Sequence, residues 1–166
     1  MANTNGAFGL RPIGVVGQAT NTTGATEYRI AAGNTNTIFQ GSPVIPLSTG
    51  FIDKVGAATG GTVGLVGVFW GCEYVSSTTG ETIFSNNWPG SGADTNHPVK
   101  AFVYDNPMQT FVICSDASLT SAATAQGHVF ANANFADGAA GSSSTGISSA
   151  KLGVSTINTT ANLNLR

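Results

Sequence analysis

Charge is what this chain has least of. Its 166 residues include eight Asp and Glu and six Lys and Arg, 8% charged in all, where roughly a quarter is usual for a soluble domain. The cations Arg11, Arg29, Lys54, Lys100, Lys151 and Arg166 are scattered along the chain. Nucleic acids and anionic membrane surfaces are bound by clustered cations, so neither is expected as a partner. Long apolar runs are missing too. The longest, residues 63–75, is broken by glycines and by Glu73, and it is too short to cross a bilayer as a helix. The opening MANTNGAFGL has no basic start and no long apolar core, which predicts no secretory signal and synthesis in a cytoplasm. Cys72 and Cys114 are then expected to be reduced, each as a small residue in an apolar strand pattern.

Chemistry-bearing residues are equally scarce. His97 and His128 have no His-x-His or His-x-x-x-His spacing, and no Cys-x-x-Cys occurs. Zinc takes three or four imidazole or thiolate ligands, and calcium takes clustered oxygen donors. Neither set is present, and no metal or other cofactor is expected. The glycine-rich run Gly60-Gly61-Thr62-Val63-Gly64 lacks the Gly-Lys-Ser/Thr ending of a phosphate loop. Cys114, Ser115, Asp116 and His128 can be arranged on paper as nucleophile, orienting acid and base. Asp116 is more simply the residue that ends a strand at a turn. No catalytic residue is assigned, and the chain is read as a non-enzyme.

What fills the sequence instead is Gly, Ser, Thr, Asn and Ala, with 41% hydrophobic residues. Runs of Val, Ile, Thr, Phe and Tyr lie between Gly, Pro, Asn and Asp at short intervals, the pattern of many short strands joined by turns. Strands are expected at residues 10–16 and 26–31, the latter with Tyr28 and Ile30 on one face and Glu27 and Arg29 on the other. Residues 41–47 carry Pro43 and Pro46, which suits an edge or bulged strand, and they should form a hairpin with residues 51–55. The strongest strand is 62–75, with Val66, Val68, Trp70, Cys72 and Tyr74 on one face at period two. Gly64, Gly67 and Gly71 within it suggest bulges or close backbone approach. Residues 98–104 and 109–115 should pair as a hairpin through Asp105-Asn106-Pro107-Met108. One short helix is expected over 118–126, with Ser118 as N-cap and Gly127 as stop. Residues 136–149 read as a loop and 151–158 as a last strand. The fold expected is all-β: a small β-barrel or β-tulip-like domain over residues 13–166, or alternatively a jelly-roll sandwich, preceded by an extended arm over residues 1–12.

Several pieces in consistent order resemble small head proteins of tailed bacteriophages, especially marine ones. They are Met1-Ala2-Asn3-Thr4 leading to Phe8-Gly9-Leu10-Arg11-Pro12-Ile13-Gly14, then Tyr28-Arg29-Ile30 and Ile38-Phe39-Gln40-Gly41-Ser42-Pro43-Val44. Gly67-Val68-Phe69-Trp70-Gly71-Cys72-Glu73-Tyr74, Val103-Tyr104-Asp105-Asn106-Pro107 and Thr145-Gly146-Ile147-Ser148 follow. At residues 41–42 this chain has Gly-Ser where the relatives tend to have Gly-Asp. The resemblance implies a capsid decoration, or cement, protein on the outer surface of the virion. Its implied partners are the major capsid protein and further copies of itself, a trimer being favoured over a dimer. It implies no active site.

Candidate interface residues follow from the N-terminal segment, which is polar, then aromatic, then basic and rigid. Phe8 would be an apolar anchor, Arg11 a bidentate donor to carboxylates, and Pro12 a stiffener. The alternative is a plain terminus leading into a first strand. Trp88, in the Asn- and Gly-rich stretch 85–97, either plugs the core edge or anchors a partner. Two other readings of the whole chain are a tail, fibre or knob subunit, and a sugar-binding β-sandwich that stacks its ligand on Trp88 or Trp70.

Overall fold

The computed structural model describes residues 6–17, 24–57, 64–119, 121–159 and 165. Residues 1–5 of the expected arm, Thr62 and Val63 of the expected long strand, and Thr120 of the expected helix lie outside the described residues. Eight strands carry the architecture: β1 Arg11–Val15, β2 Thr26–Ile30, β3 Pro43–Pro46, β4 Ile52–Lys54, β5 Gly67–Val75, β6 Thr82–Ser85, β7 Val99–Tyr104 and β8 Gln109–Val112. Four two-residue strands follow: β9 Phe135–Ala136, β10 Gly141–Ser142, β11 Ile147–Ser148 and β12 Lys151–Leu152. The helix α1 spans Ala122–Gly127. The all-β class expected from the punctuation is what forms.

The main sheet is antiparallel, in the order β2-β7-β5-β3-β4, with β6 also paired to β5. One edge of β5 pairs with β7 from Val68↔Tyr104 to Glu73↔Lys100. Its other edge is shared: β3 takes the first residues, Gly67 and Val68, and β6 takes Cys72 to Val75. The sheet curls until β2 and β4 come within 8 Å between Cα atoms, yet no ladder joins them among the described residues. The curl is therefore an open sheet, not a closed barrel. A side-chain clasp spans the opening: Asn36 Nδ2, just past β2, donates to the buried carboxylate of Asp53 on β4 at 2.8 Å, and Lys54 N–H donates to the same carboxylate at 2.7 Å.

Burial follows the expected alternation on β2, and β7 alternates in the same way. Ile30, Val99, Ala101 and Val103 point into the core, while Glu27 and Arg29 are exposed. On β5 the expected single face is divided, because the register against β7 shifts between Phe69 and Gly71. One extra residue in a strand reverses the alternation. Phe69, Cys72 and Tyr74 thus share the main core with Val66, whereas Val68 joins a second core with Leu10 and Ala150. Trp70 faces Tyr104 edge-on, with ring centroids 5.4 Å apart. Two glycines permit this: a Cβ at Gly67 would collide with Tyr104 O, and one at Gly71 would stand 2.9 Å from Ser85 O.

Other expectations are corrected by edge availability. Residues 98–104 and 109–115 do not pair as a hairpin. Both edges of β7 are occupied, by β2 and β5, so β8 leaves the sheet and pairs with β1, Arg11↔Val112 to Val15↔Gln109. The turn chemistry is as expected, with Asn106 accepting from the backbone of Met108 and Gln109. Strand β3 is internal, flanked by β4 and β5. It tolerates two prolines because Pro43 and Pro46 are its first and last residues, where the β4 and β5 ladders stop. The helix is capped by Ser121, whose Oγ accepts from Thr124 N–H at 3.1 Å, and not by Ser118. Residues 136–149 are not a plain loop, since β10 and β11 form a small hairpin within them. The expected last strand is two residues, β12 paired with β9, followed by a 3-10 helix at Val154–Thr156.

Trp88 plugs the mouth of the curled sheet and is 0% exposed. Its backbone exchanges hydrogen bonds with Ile38, its indole N–H donates to Asn34 O at 3.2 Å, and its ring meets Tyr74 at 90°. Trp88→Ala is expected to cost about 3–5 kcal/mol in denaturant unfolding followed by far-UV circular dichroism. Trp70→Ala, at a half-exposed position, should cost clearly less.

Candidate functional site

The N-terminal segment is more deeply integrated than an arm over residues 1–12 would be. Leu10 is 1% exposed, and its N–H donates to Gly41 O at 2.9 Å. Gly9, at φ 68°, sits so close to Gly41 O and Ser148 that a side chain would not fit. Arg11 and Pro12 are already ladder residues of β1. Burial of Leu10 in the second core thus makes the described part of the segment a piece of the domain. Phe8 is half-buried beside Leu10, Gln40, Trp70 and Ile147. The Arg11 guanidinium stands 5.7 Å from the centre of its ring, within cation–π range. Arg11 is exposed and makes no ion pair among the described residues, so it is available to an external carboxylate. Trp88, in contrast, is removed from any surface by its burial, and it offers no platform to a sugar or a protein partner.

Sequence reasoning missed the ribbon that β1 and β8 make. Its inner residues Val15 and Gln109 are buried, and Phe111 packs on the second core. Its outer side exposes Ile13, Val16, Met108 and Val112, each between 44% and 57%. The register shift between Pro12 and Gly14 turns Ile13 outward, and the Gly14 carbonyl is taken by Gln109 Nε2 at 2.8 Å and Thr110 Oγ1 at 2.7 Å. The apolar residues Ile13, Val15 and Val16 were the available signal: a regular strand puts Ile13 and Val15 on one face, and the register shift at Ile13 is what exposes Ile13 and Val16 while Val15 stays buried.

Behind this ribbon lies a cavity of about 630 Å³. Its walls are apolar, from Leu10, Val68, Phe111, Phe135 and Leu152, and Gln109 and His128 also line it. Gln109 Oε1 and His128 Nδ1 are buried without a hydrogen-bond partner among the described residues. Both N–H groups of the Gln109 amide are engaged, by Gly14 O and Thr110 O, which leaves the oxygen unmatched. Sequence reasoning named His128 only as a paper base and gave Gln109 no role, so nothing in the sequence pointed to the two as a pair.

Three members of the catalytic arrangement written on paper have structural partners in the fold. Asp116 accepts from Val154 N–H at 2.8 Å and so caps the 3-10 helix, Ser115 bridges Leu152, and Cys114 Sγ approaches Gly6 O. His97 pairs instead with Asp94 at 2.9 Å on an exposed loop. The Asn96 backbone N–H first, and His97 second, hold the Asp94 carboxyl below its usual range. Among the described residues no group of three His, Cys, Asp or Glu side chains could hold a metal ion, and no helix is long and apolar enough to cross a membrane.

In comparisons with known proteins, no family model, no curated protein and no solved structure matches this chain.

Neither Cys72 nor Cys114 is in a disulfide. Burial pushes the Cys72 thiol from 9 up to about 12, while Cys114 is half-buried. A native-state thiol assay should therefore modify Cys114 first and reach Cys72 only on unfolding. The raised value also has a stability consequence. Below pH 9 both folded and unfolded states keep the Cys72 thiol protonated, and the full stability is present. Above it the unfolded thiol ionises first, so stability falls toward pH 12, by on the order of 4 kcal/mol across three pH units. Cys72→Ala should flatten that alkaline limb in urea titrations. An equally steep limb would mean that another group is responsible.

Proposed function

We propose that this chain is a virion structural protein: a decoration protein that binds the outer surface of a tailed-phage capsid and bridges neighbouring capsomers. It is made in the host cytoplasm, its partners are the major capsid protein and other copies of itself, with a trimer favoured, and it acts without a cofactor, without nucleic acid or membrane binding, and without catalysis. The reading rests on the motif order of the sequence. The observation that supports it is the ribbon surface, where exposed Ile13, Val16, Met108 and Val112 adjoin Arg11, which makes no ion pair among the described residues. An apolar patch edged by a fixed donor of bidentate geometry suits a protein surface bearing a carboxylate. With so few charges nearby, little desolvation opposes docking. A ligand that binds only the assembled shell stabilises it by mass action, and many modest contacts suffice.

Purified chain added to expanded heads that lack it should bind saturably, in hundreds of copies spread over the shell. The double variant Ile13→Ser, Val112→Ser should lower occupancy about tenfold or more, with an unchanged circular dichroism spectrum. Arg11→Ala should weaken binding and reduce its salt dependence. No binding, or a dozen copies or fewer at one vertex, would overturn the proposal and favour a tail or fibre role.

A further inference from the structure

We infer that the cavity behind the β1–β8 ribbon is a socket for a second copy of this chain, and that the side chain it receives is Phe130. This rests on the self-association part of the reading above and not on the capsid part. Phe130 is 93% exposed. It is also held at φ 68°, a left-handed conformation that is a true outlier for a bulky side chain. A chain of turn hydrogen bonds after α1 keeps it there: His128 N–H to Ala125 O, Val129 N–H to Gln126 O, and Ala131 N–H to His128 O. Strained backbone that presents an aromatic ring to water is the kind of outlier from which a binding role is inferred.

The ring stands beside the socket, not in it. His128 and Ala131, on either side of Phe130 in the chain, both belong to the cavity wall, as does the part-exposed Leu119. Val129, next to the ring, is half-exposed. At about 630 Å³ the cavity lies within the roughly 300–1,000 Å³ range of ligand sites, enough for a phenyl ring with a neighbouring side chain.

A projecting ring next to a matching hollow is what symmetric association uses. In a two-fold contact the same patch serves both partners, so each copy gives its Phe130 and receives the other's. A head-to-tail version, in which each Phe130 enters the next copy's socket, would close a trimer around a three-fold axis. Charge does not oppose it. The wall contains one carboxylate, Asp105, which already accepts from Thr26 and Tyr28, and the whole chain carries a net −2. A stable interface needs roughly 800 Å² per partner, under a tenth of this chain's 9355 Å², with Leu119, Val129 and Phe130 as its apolar centre.

Sedimentation equilibrium of the full chain tests this. The wild type should associate at micromolar concentration. Phe130→Ser should weaken association about tenfold or more with an unchanged melting transition, since the ring touches little of its own chain. Ala133→Leu, which fills the socket, should do the same; should it fail to fold, Leu119→Lys at the rim takes its place. An equimolar mixture of the ringless and the filled variants should associate more tightly than either alone, because one ring and one open socket remain. A wild type that stays monomeric to millimolar concentration, or a Phe130→Ser variant that associates as the wild type does, would overturn the inference. If Phe130→Ser is monomeric yet still decorates capsids, self-docking stands without being needed for capsid binding. Association that depends on Phe130 with no capsid binding by any variant would leave the socket and remove the capsid reading.

Discussion

Strand β5 is the element on which the rest of the domain depends. It pairs with three other strands, and one register shift inside it sends Phe69, Cys72 and Tyr74 to one core and Val68 to the other. Without that extra residue every second side chain would face one way, and the second core would lose the residue that connects it to the main sheet. The bend has a backbone requirement, met by Gly67 and Gly71 where other carbonyls come too close for a Cβ. Trp88 completes the main core from outside the strands and fills the mouth that an open sheet leaves.

Cohesion here comes from apolar burial and neutral hydrogen bonds, with little from ion pairs. The three pairs among the described residues, His97–Asp94, Lys100–Glu73 and Lys151–Asp137, are all partly exposed, and such pairs contribute about 0–1 kcal/mol each. Asn, Ser, Thr and Gln do the joining instead: Asn36 holds Asp53 across the open sheet, Gln109 and Thr110 satisfy the bulged backbone at Gly14, and Ser121 caps α1. Asp53 is the one buried charged side chain among the described residues, and its carboxylate is matched by Asn36 and a backbone N–H. A surface built this way is inexpensive to dehydrate, because neutral polar groups lose less on leaving water than ions do.

That property connects the fold to its proposed use. The ribbon face presents part-exposed aliphatic side chains beside Arg11, and the α1 turn presents Phe130 beside a hollow. Phe130 and the ribbon's outer side chains lie on different elements, and β8 carries the ribbon face on one side and lines the hollow on the other. Phe8, under the Arg11 guanidinium, fixes the cation at the edge of the ribbon.

The sequence alone marked the segments that became β1 to β5, β7, β8 and β12, and the alternation along β2, because these depend on neighbours one to four residues apart; it did not mark β6 or the short strands β9 to β11. Of the glycines it marked for bulges or close backbone approach, Gly67 and Gly71 lie against other carbonyls, while Gly64 has nothing within 4 Å. The sequence could not determine which strands pair. That β8 joins β1 was decided by the two occupied edges of β7, and that β3 is internal was decided by where its neighbours end. Trp88 was ambiguous between plug and anchor until the curled sheet supplied a hole of its size. The exposure of Ile13, the unmatched Gln109 and the outward ring of Phe130 belong wholly to the tertiary structure. Each is set by a register shift, a distant hydrogen bond or a turn conformation that leaves no period in the chain.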